Sequence, residues 1–414
     1  MTSGGQMRHT WDVSLTQDVK AAAFEAGFDR VGISSAEPLR DAEAAILERI
    51  AAGYMDGLRW FTPDRARLAT RPQQLLPGAR SIVALAASYL GHRPPPPLEP
   101  GKPRGKIARY AWGRDYHDVL RALARDLVER IERLAGRPVA ARIFVDSSPL
   151  AERAVAQRAG LGWFGKNTML LLPGVGSWAF LCEVILDLEL EPDVPVRKSC
   201  GVCTRCLDCC PTGALVAPGV LDNRRCISFL TIEHKGPIPP ALRPLMGSWI
   251  FGCDDCQEVC PVNRKALPAR IAALRAYDDD AAFPPLLPLL EMSDAEFRAR
   301  YRGTPVWRAK SWGLQRNACV ALGNLGDPVA IPALSTILLD ERRPTLVRGH
   351  AAWALGRFDE PAARRALEQA WRLVGHGESD EPAEQAWLRN ELVAALEPHG
   401  SGRDELDCFG QVAQ

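Results

Sequence analysis

The chain has 414 residues, enough for two or three domains that each bury their own core. Its 51 Lys and Arg side chains balance 50 Asp and Glu, which excludes a uniformly basic nucleic-acid coat, so an anionic partner would need a local patch. Hydrophobic residues at 47% exclude extensive disorder.

The first half of the chain alternates helical and strand-like patterns. Ser14 or Thr16 is expected to cap a helix that stops at Gly27, and the apolar run RVGIS follows as a strand. The helical pattern DAEAAILERIAAG then precedes SIVALAASYL, which predicts a buried strand. The segment RPPPPLEPGKPRGK predicts a surface loop, because proline lacks the N–H that regular structure needs.

The same alternation continues to about residue 190. We expect a helix over 116–134, a strand VAARIFVD, a helix over 149–159 and a strand WAFLCEVIL. Together these elements predict an α/β (α+β) domain over residues 11–195.

The cysteines give the most specific signal in the chain. Four of them follow the C-x2-C-x2-C-x3-C-P spacing of bacterial ferredoxins, in which the fourth cysteine serves a second cluster. Crossing the fourth ligands predicts two 4Fe-4S clusters, one held by Cys200, Cys203, Cys206 and Cys260 and the other by Cys210, Cys226, Cys253 and Cys256. The predicted ferredoxin-like module covers residues 196–268. Tetrahedral zinc sites, which CxxC pairs also build, are the alternative.

Four cysteines fall outside this spacing. Cys209 is interpreted as a bystander beside Cys210, and Cys182, Cys319 and Cys408 are interpreted as small apolar residues. No apolar run is long enough to span a membrane, and the N-terminal segment contains no apolar export signal. We therefore expect a cytoplasmic protein whose thiols stay reduced.

The C-terminal part contains an internal repeat. A polar and proline-rich linker, AYDDDAAFPPLLPLLEMSDAEF, is predicted before it. The segments RNACVALGNLGDP and GHAAWALGRFDEP align at an offset of 33 residues, with Ala and Leu at helical spacing. This pattern predicts an all-α, HEAT-like repeat domain over residues 285–400. Because two repeats are few, we expect them to lean on the preceding domain.

The segment GLGWFGKN contains G-x4-G-K, but Asn167 stands where a P-loop uses Ser or Thr to hold magnesium. We interpret it as a glycine-rich turn, or as a loop whose backbone approaches a planar cofactor with Lys166 and Asn167 in polar contact. Asp146 ends an apolar strand, where it is either a catalytic acid with a pKa raised by partial burial or a helix N-cap or turn former. His117 and His234 are single histidines and predict no metal site.

Basic side chains concentrate around the repeats. They form either a phosphate-binding stripe or a solvated helix face. The group comprises Arg342, Arg343, Arg348, Arg364, Arg365 and Arg372, preceded by Arg308, Lys310 and Arg316.

Six segments together resemble the epoxyqueuosine reductase family: RYAWGRDYH, VDSSPLAERAVAQRAGLGWFGKNT, GSWAFL, CGVCTRCLDCCPTGAL, RCISFLTIEHKG and GCDDCQEVCPVN. The resemblance runs from about residue 15 to residue 270, and the repeats agree with the longer members of that family. It implies a cobalamin-dependent iron–sulfur oxidoreductase that converts epoxyqueuosine at the wobble position of tRNA to queuosine, the last step of queuosine synthesis.

The resemblance also implies roles for individual residues. Asp146 corresponds to the proposed proton donor in the family's VD-x-x-P motif. Cobalamin contacts are carried over to Arg109, Asp146, Lys166, Asn167, Ser177, Ser228 and Asp254. Contacts to tRNA are carried over to Lys235 and to the basic repeat face with Arg342, Arg343 and Arg348. Cys182 and Cys209 depart from the small non-thiol residues expected at their positions.

The partners implied are a tRNA that has a G-U-N anticodon and carries epoxyqueuosine, and an external electron donor; the protein is expected to be a monomer. Two alternative functions remain. One is a reductive-dehalogenase-like corrinoid enzyme, against which the missing twin-arginine signal argues. The other is a ferredoxin-type electron carrier whose repeats dock a partner protein, although a carrier has no use for the large α/β domain.

Overall fold

The computed structural model describes residues 13–91, 94–97, 99–375 and 382–397. The start of the N-terminal segment, for which the sequence predicts no export signal, and Cys408 lie outside these residues. Within them, no helix has the length and apolar character that crossing a membrane requires.

The N-terminal domain is built on a four-stranded sheet with helices on both faces. Its helices are α1 (Val13–Glu25), α2 (Arg40–Ala51), α3 (Pro63–Ala69), α4 (Pro72–Leu75), α5 (Tyr116–Ala135) and α6 (Glu152–Arg158). Its strands are β1 (Arg30–Ser35), β2 (Ser81–Ser88), β3 (Lys106–Ile107), β4 (Ala141–Phe144), β5 (Trp163–Phe164), β6 (Leu170–Leu171) and β7 (Ala179–Leu186).

Strands β1, β2, β7 and β4 lie in that order in the sheet, and each is antiparallel to its neighbours. One face of the sheet packs against α1 and α5, and the other packs against α6. All residues of β2 are buried because helices cover both faces. The domain is therefore of the mixed helix-and-sheet class that the sequence predicts, in its antiparallel α+β form.

Most of the predicted elements are present with shifted ends. The expected cap of α1 is wrong, since Ser14 and Thr16 lie inside that helix. The helix predicted over 149–159 is α6, which begins only at Glu152. Its N-cap position is held by Ala151, so the N-cap interpretation of Asp146 is wrong as well. Residues 145–151 instead form a loop that carries Asp146 away from the end of β4.

A loop-rich module follows the sheet domain. Its short elements are α7 (Arg205–Asp208), β8 (Leu215–Ala217), β9 (Val220–Leu221), α8 (Ile227–Ile232), β10 (Trp249–Phe251) and α9 (Asp255–Glu258). Strand β10 pairs in parallel with β3, which ties this module to the N-terminal domain.

The C-terminal part is helical. Its helices are α10 (Leu286–Glu291), α11 (Asp294–Tyr301), α12 (Lys310–Leu325), α13 (Ile331–Leu339), α14 (Thr345–Leu355), α15 (Pro361–Val374) and α16 (Ala383–Leu396). Helices α10 and α11 fall within the segment predicted as a linker. That prediction is wrong for them, because Leu286, Leu289 and Leu290 are buried in one core with the repeats.

Matching glycines explain the alignment of the two repeats. A Cβ atom at Gly323 would lie 2.9 Å from the Cα of Ala354, and one at Gly356 would lie 2.9 Å from the Cβ of Ala395. Both distances are shorter than a packed core tolerates. Glycine at these positions therefore lets α12, α14 and α16 approach each other closely.

The repeats lean on the loop-rich module, as the sequence predicts. The Arg316 guanidinium is buried and donates hydrogen bonds to the carbonyl groups of Leu230, His234 and Gly236. The Asn317 side chain donates to the carbonyl groups of Thr231 and Ile250. Arg316 is therefore a structural residue, and including it in a surface stripe was wrong.

A buried ion pair joins the same two parts at another point. The guanidinium of Arg243 donates to both carboxylate oxygens of Glu391 in α16, at 2.6 and 2.7 Å. Arg243 is fully buried and Glu391 is 8% exposed. The last helix of the repeats is thus fixed to the loop-rich module by a two-bond contact shielded from water.

Candidate active site and cluster ligands

One set of four cysteines gathers in the loop-rich module. Burial and the neighbouring sulfurs of Cys200, Cys260 and Cys203 raise the pKa of the Cys206 thiol. Burial and the sulfurs of Cys200 and Cys203 raise the pKa of Cys260 in the same way. A turn closed by the bond from the Cys203 N–H to the Cys200 carbonyl brings the first two together. Cys260 therefore joins three cysteines that lie more than fifty residues earlier in the chain.

The second set contains Cys210, Cys226, Cys253 and Cys256. Burial and the nearby sulfurs of Cys226 and Cys210 raise the pKa of the Cys256 thiol, and Cys253 faces Cys226 and Cys256. These contacts group Cys206 and Cys260 with Cys200 and Cys203, and Cys256 with Cys226 and Cys210, while the assignment of four ligands to each cluster stays a prediction. Among the described residues, no three His, Cys, Asp or Glu side chains are arranged to hold one metal ion.

Cys209 lies beside both sets. Its thiol donates to the carbonyl groups of Cys206 and Asp255, and burial raises its pKa to about 12. Its interpretation as a bystander stays a prediction, because burial also raises the pKa values of the proposed ligands Cys253 and Cys256. Cys182 and Cys319 are fully buried in apolar cores, as the sequence predicts.

Asp146 occupies the loop between β4 and α6 with a positive φ of 46°, which is unusual for a residue with a side chain. The Tyr116 hydroxyl donates to its Oδ2 atom at 2.7 Å, and Nε2 of His117 lies 3.4 Å from the same oxygen. The Asp146 side chain is 58% exposed even though it lies close to Tyr110, Arg308 and these two rings. It therefore stays open to solvent, in a region bordered by these side chains that we call the cleft.

Tyr116 and His117 begin α5, and their rings stack with centroids 4.3 Å apart. Asp115 caps that helix by accepting from the His117 N–H, and its Oδ1 lies 2.7 Å from Nδ1 of His117. The imidazole is therefore held between two carboxylates, Asp115 on one side and Asp146 on the other.

The protonation states differ from the sequence expectation. Burial opposes the charge on Asp146, but hydrogen bonds from His117 and Tyr116 outweigh it and hold its pKa below the usual value. Burial also opposes the charge on His117, yet its contacts with Asp115 and Asp146 raise its pKa to about 9. The expected rise in the pKa of Asp146 is thus wrong, because the neighbouring imidazolium stabilises the carboxylate. In this arrangement the proton resides on His117 at neutral pH.

Four of the residues predicted to contact cobalamin meet at the segment 254–258. The buried carboxylate of Asp254 accepts from the Arg109 backbone N–H at 2.7 Å, and Asn167 donates to the carbonyl group of Cys256. The Ser177 hydroxyl bonds with the side chains of Gln257 and Asn263, so protein groups already satisfy it. Burial raises the pKa of Asp254 to about 7.

Besides Asp146, the two remaining predicted contacts are Lys166 and Ser228, which lie beside Gly201 and Cys226. The Lys166 ammonium donates to the carbonyl group of Gly201, and the Ser228 backbone N–H points at the sulfur of Cys226. The glycines around Lys166 are explained by the hairpin of β5 and β6, since a Cβ at Gly162 would lie 2.2 Å from the Leu171 carbonyl oxygen. The turn interpretation of this segment therefore accounts for Gly162 without a cofactor.

A buried donor beside the segment 254–258 lacks a partner. Tyr110 lies within electrostatic reach of both Asp146 and Asp254, which places it between them. The Nε atom of Arg109 is shielded from solvent and has no hydrogen-bond partner. Such an orphaned donor is normally satisfied by a partner that the protein itself does not supply.

The predicted tRNA contacts are not equivalent. The Lys235 ammonium lies over the Trp312 ring and donates to the Ile232 carbonyl, while its neighbour Arg308 pairs with Glu233. The Arg342 side chain is 91% exposed and paired with Asp340. Including Arg348 in an exposed stripe was wrong, because it is 5% exposed and its Nε donates to the Leu338 carbonyl.

Comparisons with known proteins bear on the identity of this site. Residues 70–147 match the family profile described as epoxyqueuosine reductase QueG, DUF1730. The epoxyqueuosine reductase of Bacillus subtilis is 39% identical over 358 residues, which cover 86% of this chain and 91% of that protein. The chain belongs to the epoxyqueuosine reductase family. The Pseudomonas aeruginosa epoxyqueuosine reductase is 42% identical over 84% of this chain and 95% of its own length.

Solved structures of epoxyqueuosine reductases share this fold. One of them, determined with a tRNA-Tyr epoxyqueuosine-modified tRNA stem loop, has a TM-score of 0.85 at 35% identity over 93% of this chain and 99% of that chain. The epoxyqueuosine reductase of Streptococcus thermophilus has a TM-score of 0.81 at 31% identity over 92% of this chain and 97% of that chain.

The remaining matches decide between the alternatives that the sequence leaves open. Residues 199–263 match the 4Fe-4S double cluster binding domain, which favours two iron–sulfur clusters over zinc. Residues 306–374 match HEAT repeats. Membership of the epoxyqueuosine reductase family makes the protein an oxidoreductase, rather than an electron carrier or a reductive dehalogenase.

Sequence reasoning missed His117 and Tyr116 as parts of the site. It set His117 aside because a lone histidine predicts no metal ion. The available signal was Asp115, two residues earlier, which can cap the helix and orient the imidazole at the same time. The contact with Asp146 joins residues thirty positions apart and could not be seen in the sequence.

Proposed function

We propose that the protein reduces the epoxide of epoxyqueuosine, at the wobble position of tRNA, to the alkene of queuosine. The observation that carries the proposal is the solvent-accessible Asp146 carboxylate facing a charged His117, in a chain of the epoxyqueuosine reductase family. The tRNA stem loop in a structurally similar family member supports tRNA as the substrate.

We propose that Cys200, Cys203, Cys206 and Cys260 bind one 4Fe-4S cluster and that Cys210, Cys226, Cys253 and Cys256 bind the other. Cobalamin would lie in the cleft, held by Arg109, Asp146, Lys166, Asn167, Ser177, Ser228 and Asp254. When bound there, cobalamin would supply a cobalt ion that takes electrons from the clusters and passes them to the substrate. An external electron donor would reduce the clusters.

The chain's own residues handle the protons. Removing an epoxide oxygen as water, with a C=C bond left behind, consumes two electrons and two protons. Tyr116 fixes the Asp146 carboxylate, and His117 holds a proton beside it. Transfer from His117 Nε2 to Asp146 Oδ2 would make the acid that protonates the leaving oxygen. A donor with the raised pKa of His117 stays loaded over the neutral range.

The tRNA would lie across the mouth of the cleft. Lys235 lies beside Arg308, which precedes α12, and Arg342 and Arg343 lie in the turn that follows α13. These three cations would contact phosphates and hold a G-U-N anticodon loop, with its modified base turned into the cleft. We place this reaction in the cytoplasm and assign it to a monomer.

The test is conversion of epoxyqueuosine-containing tRNA by anaerobically purified protein with cobalamin and a chemical reductant. Queuosine in the nucleoside digest is the expected product. Asp146→Asn should lower the rate by about 100-fold or more, the contribution of a positioned acid, while the iron content stays unchanged. Asp64→Asn, which alters an exposed carboxylate in α3, should have no effect. Iron-loaded wild type that binds cobalamin and makes no queuosine would refute the proposal.

A further inference from the structure

A carboxyl group without partners lies in the middle of the central sheet. Glu183 belongs to β7, where it pairs with Ala84 of β2 and Phe144 of β4. It is fully buried, and neither of its carboxylate oxygens accepts a hydrogen bond. Its side chain lies on the face of the sheet that packs against α6. A glutamate in such a position costs stability that an apolar side chain would not.

A second carboxyl group faces the first from α6. Glu152 is the first residue of that helix, and its Oε1 atom is shielded from solvent and accepts no hydrogen bond. It lies within electrostatic reach of Glu183, and the backbone N–H of Asp146 points at its carboxylate. Glu152 therefore stands between the buried glutamate and the aspartate in the cleft.

The charged groups around this pair do not neutralise two carboxylates. The acidic neighbour is Asp146, the basic neighbours are Arg153 and His117, and the Tyr116 hydroxyl and the Cys182 thiol are neutral. His117 is already bound to Asp115 and Asp146, and Arg153 donates to the Thr168 carbonyl. Glu183 has no donor and Glu152 has only the Asp146 backbone N–H, so the two buried carboxyl groups cannot both ionise and the pair retains a proton. Burial accordingly raises the pKa of both Glu152 and Glu183.

The reaction argued above needs a proton that His117 alone does not provide. Both carbon–oxygen bonds of the epoxide break, a C=C bond forms, and the oxygen leaves as water with two protons. His117 carries one of them to Asp146. We propose that the Glu152–Glu183 pair supplies the second proton, which also passes through Asp146. This inference rests on the proposed function, and Glu152 acts in it through Asp146 rather than on the substrate.

The rate of conversion as a function of pH tests the inference. In the wild type the rate should fall at alkaline pH with the loss of two protons, one from His117 and one from the glutamate pair. Glu152→Gln should lower the rate by about tenfold or more and leave an alkaline fall with the loss of one proton. Glu183→Gln should shift that fall, and Glu152→Asp should recover part of the rate. The control is Glu99→Gln, which alters an exposed carboxylate. A Glu152→Gln enzyme with the wild-type rate and pH profile would overturn the proposal.

A measurement without turnover separates this inference from the proposed function. Infrared difference spectra between neutral and alkaline pH should show the C=O band of a protonated carboxyl group, and the band should be absent from the double variant Glu152→Gln/Glu183→Gln. Glu183→Gln should raise the melting temperature more at pH 8 than at pH 5, because the folded state is penalised as pH rises above the usual carboxyl value of 4.5. If the band is present and no queuosine forms, the proposed function fails and the proton store remains. If queuosine forms and the band is absent, the proton store alone is refuted.

Discussion

Replacing His117 with glutamine tests where the protein keeps its proton. Glutamine retains the size and hydrogen-bonding capacity of the imidazole but carries no charge between pH 5 and 10. Asp146 and Asp115 would then face an uncharged partner, and the proton that His117 holds for Asp146 would be missing. We expect the variant to fold and to bind both clusters, because the imidazole is held by Asp115 and Asp146 rather than by a proposed cluster ligand.

The magnitude follows from the contacts of the imidazole. The rise in the pKa of His117 from 6.5 to about 9 corresponds to about 3 kcal/mol of preferential proton binding in the folded state. The folded protein binds this proton more tightly than the unfolded chain does. The stabilisation is therefore complete below pH 6.5 and is lost as pH rises through 9. The His117→Gln variant should therefore lose the part of the alkaline instability that the wild type shows between pH 7 and 10.

The assay is single-turnover formation of queuosine between pH 6.5 and 10, with iron quantified in every preparation. We expect the His117→Gln rate to be about 100-fold lower than the wild-type rate, without the fall near pH 9. Tyr116→Phe is the matched control, since it removes the other hydrogen bond to Oδ2 of Asp146 and leaves the proton on His117. That variant should be slower but keep the fall near pH 9. A His117→Gln enzyme that keeps the fall near pH 9 would refute the assignment of the proton to His117.

Three further outcomes follow from contacts described above. Cys260→Ser should lower the iron content from about eight to about four per chain and remove the electron paramagnetic resonance signal of the same cluster that Cys206→Ser removes. Glu391→Gln should lower the free energy of unfolding, measured by urea denaturation, by about 3–5 kcal/mol, because it leaves the buried Arg243 without its charged partner. The control Glu368→Gln breaks an exposed pair and should lower it by less than about 1 kcal/mol. Arg342→Glu should weaken tRNA binding and lower the slope of log Kd against log salt by about one; an unchanged slope would exclude this turn from the tRNA surface.

The parts of the molecule that follow from local pattern were predictable. The cysteine spacing predicted two ligand sets, because each short loop fixes the direction of its thiols, and the structure places members of each set near one another. The all-buried strand β2 was evident from its apolar run, but the antiparallel order of the sheet was not, since periodicity carries no information on strand direction. Asp146 was therefore singled out by a rule for parallel sheets that does not apply to this one.

The errors concern contacts between distant residues. In the sequence, Arg316 and Arg348 belong to a group of basic residues that predicts a charged surface. Both guanidinium groups instead donate hydrogen bonds to backbone carbonyl groups inside the protein. The pKa of Asp146 was expected to rise with burial and falls instead, because His117 arrives from the start of another helix. Sequence identifies which groups can ionise, but the sign of each pKa change depends on the partner that the fold brings to it.

The bonds from Arg316 and Asn317 have a consequence for how this chain can be divided. Five backbone carbonyl groups between residues 230 and 250 obtain their donors from these two side chains of the first repeat. The same stretch joins Cys226 to Cys253 and so spans one of the proposed cluster sites. Cutting the chain before α12 would leave these acceptors without partners in a place that water does not reach. Evolutionary loss of the repeats, like an engineered truncation, would therefore have to be accompanied by a rebuilt loop beside the cluster.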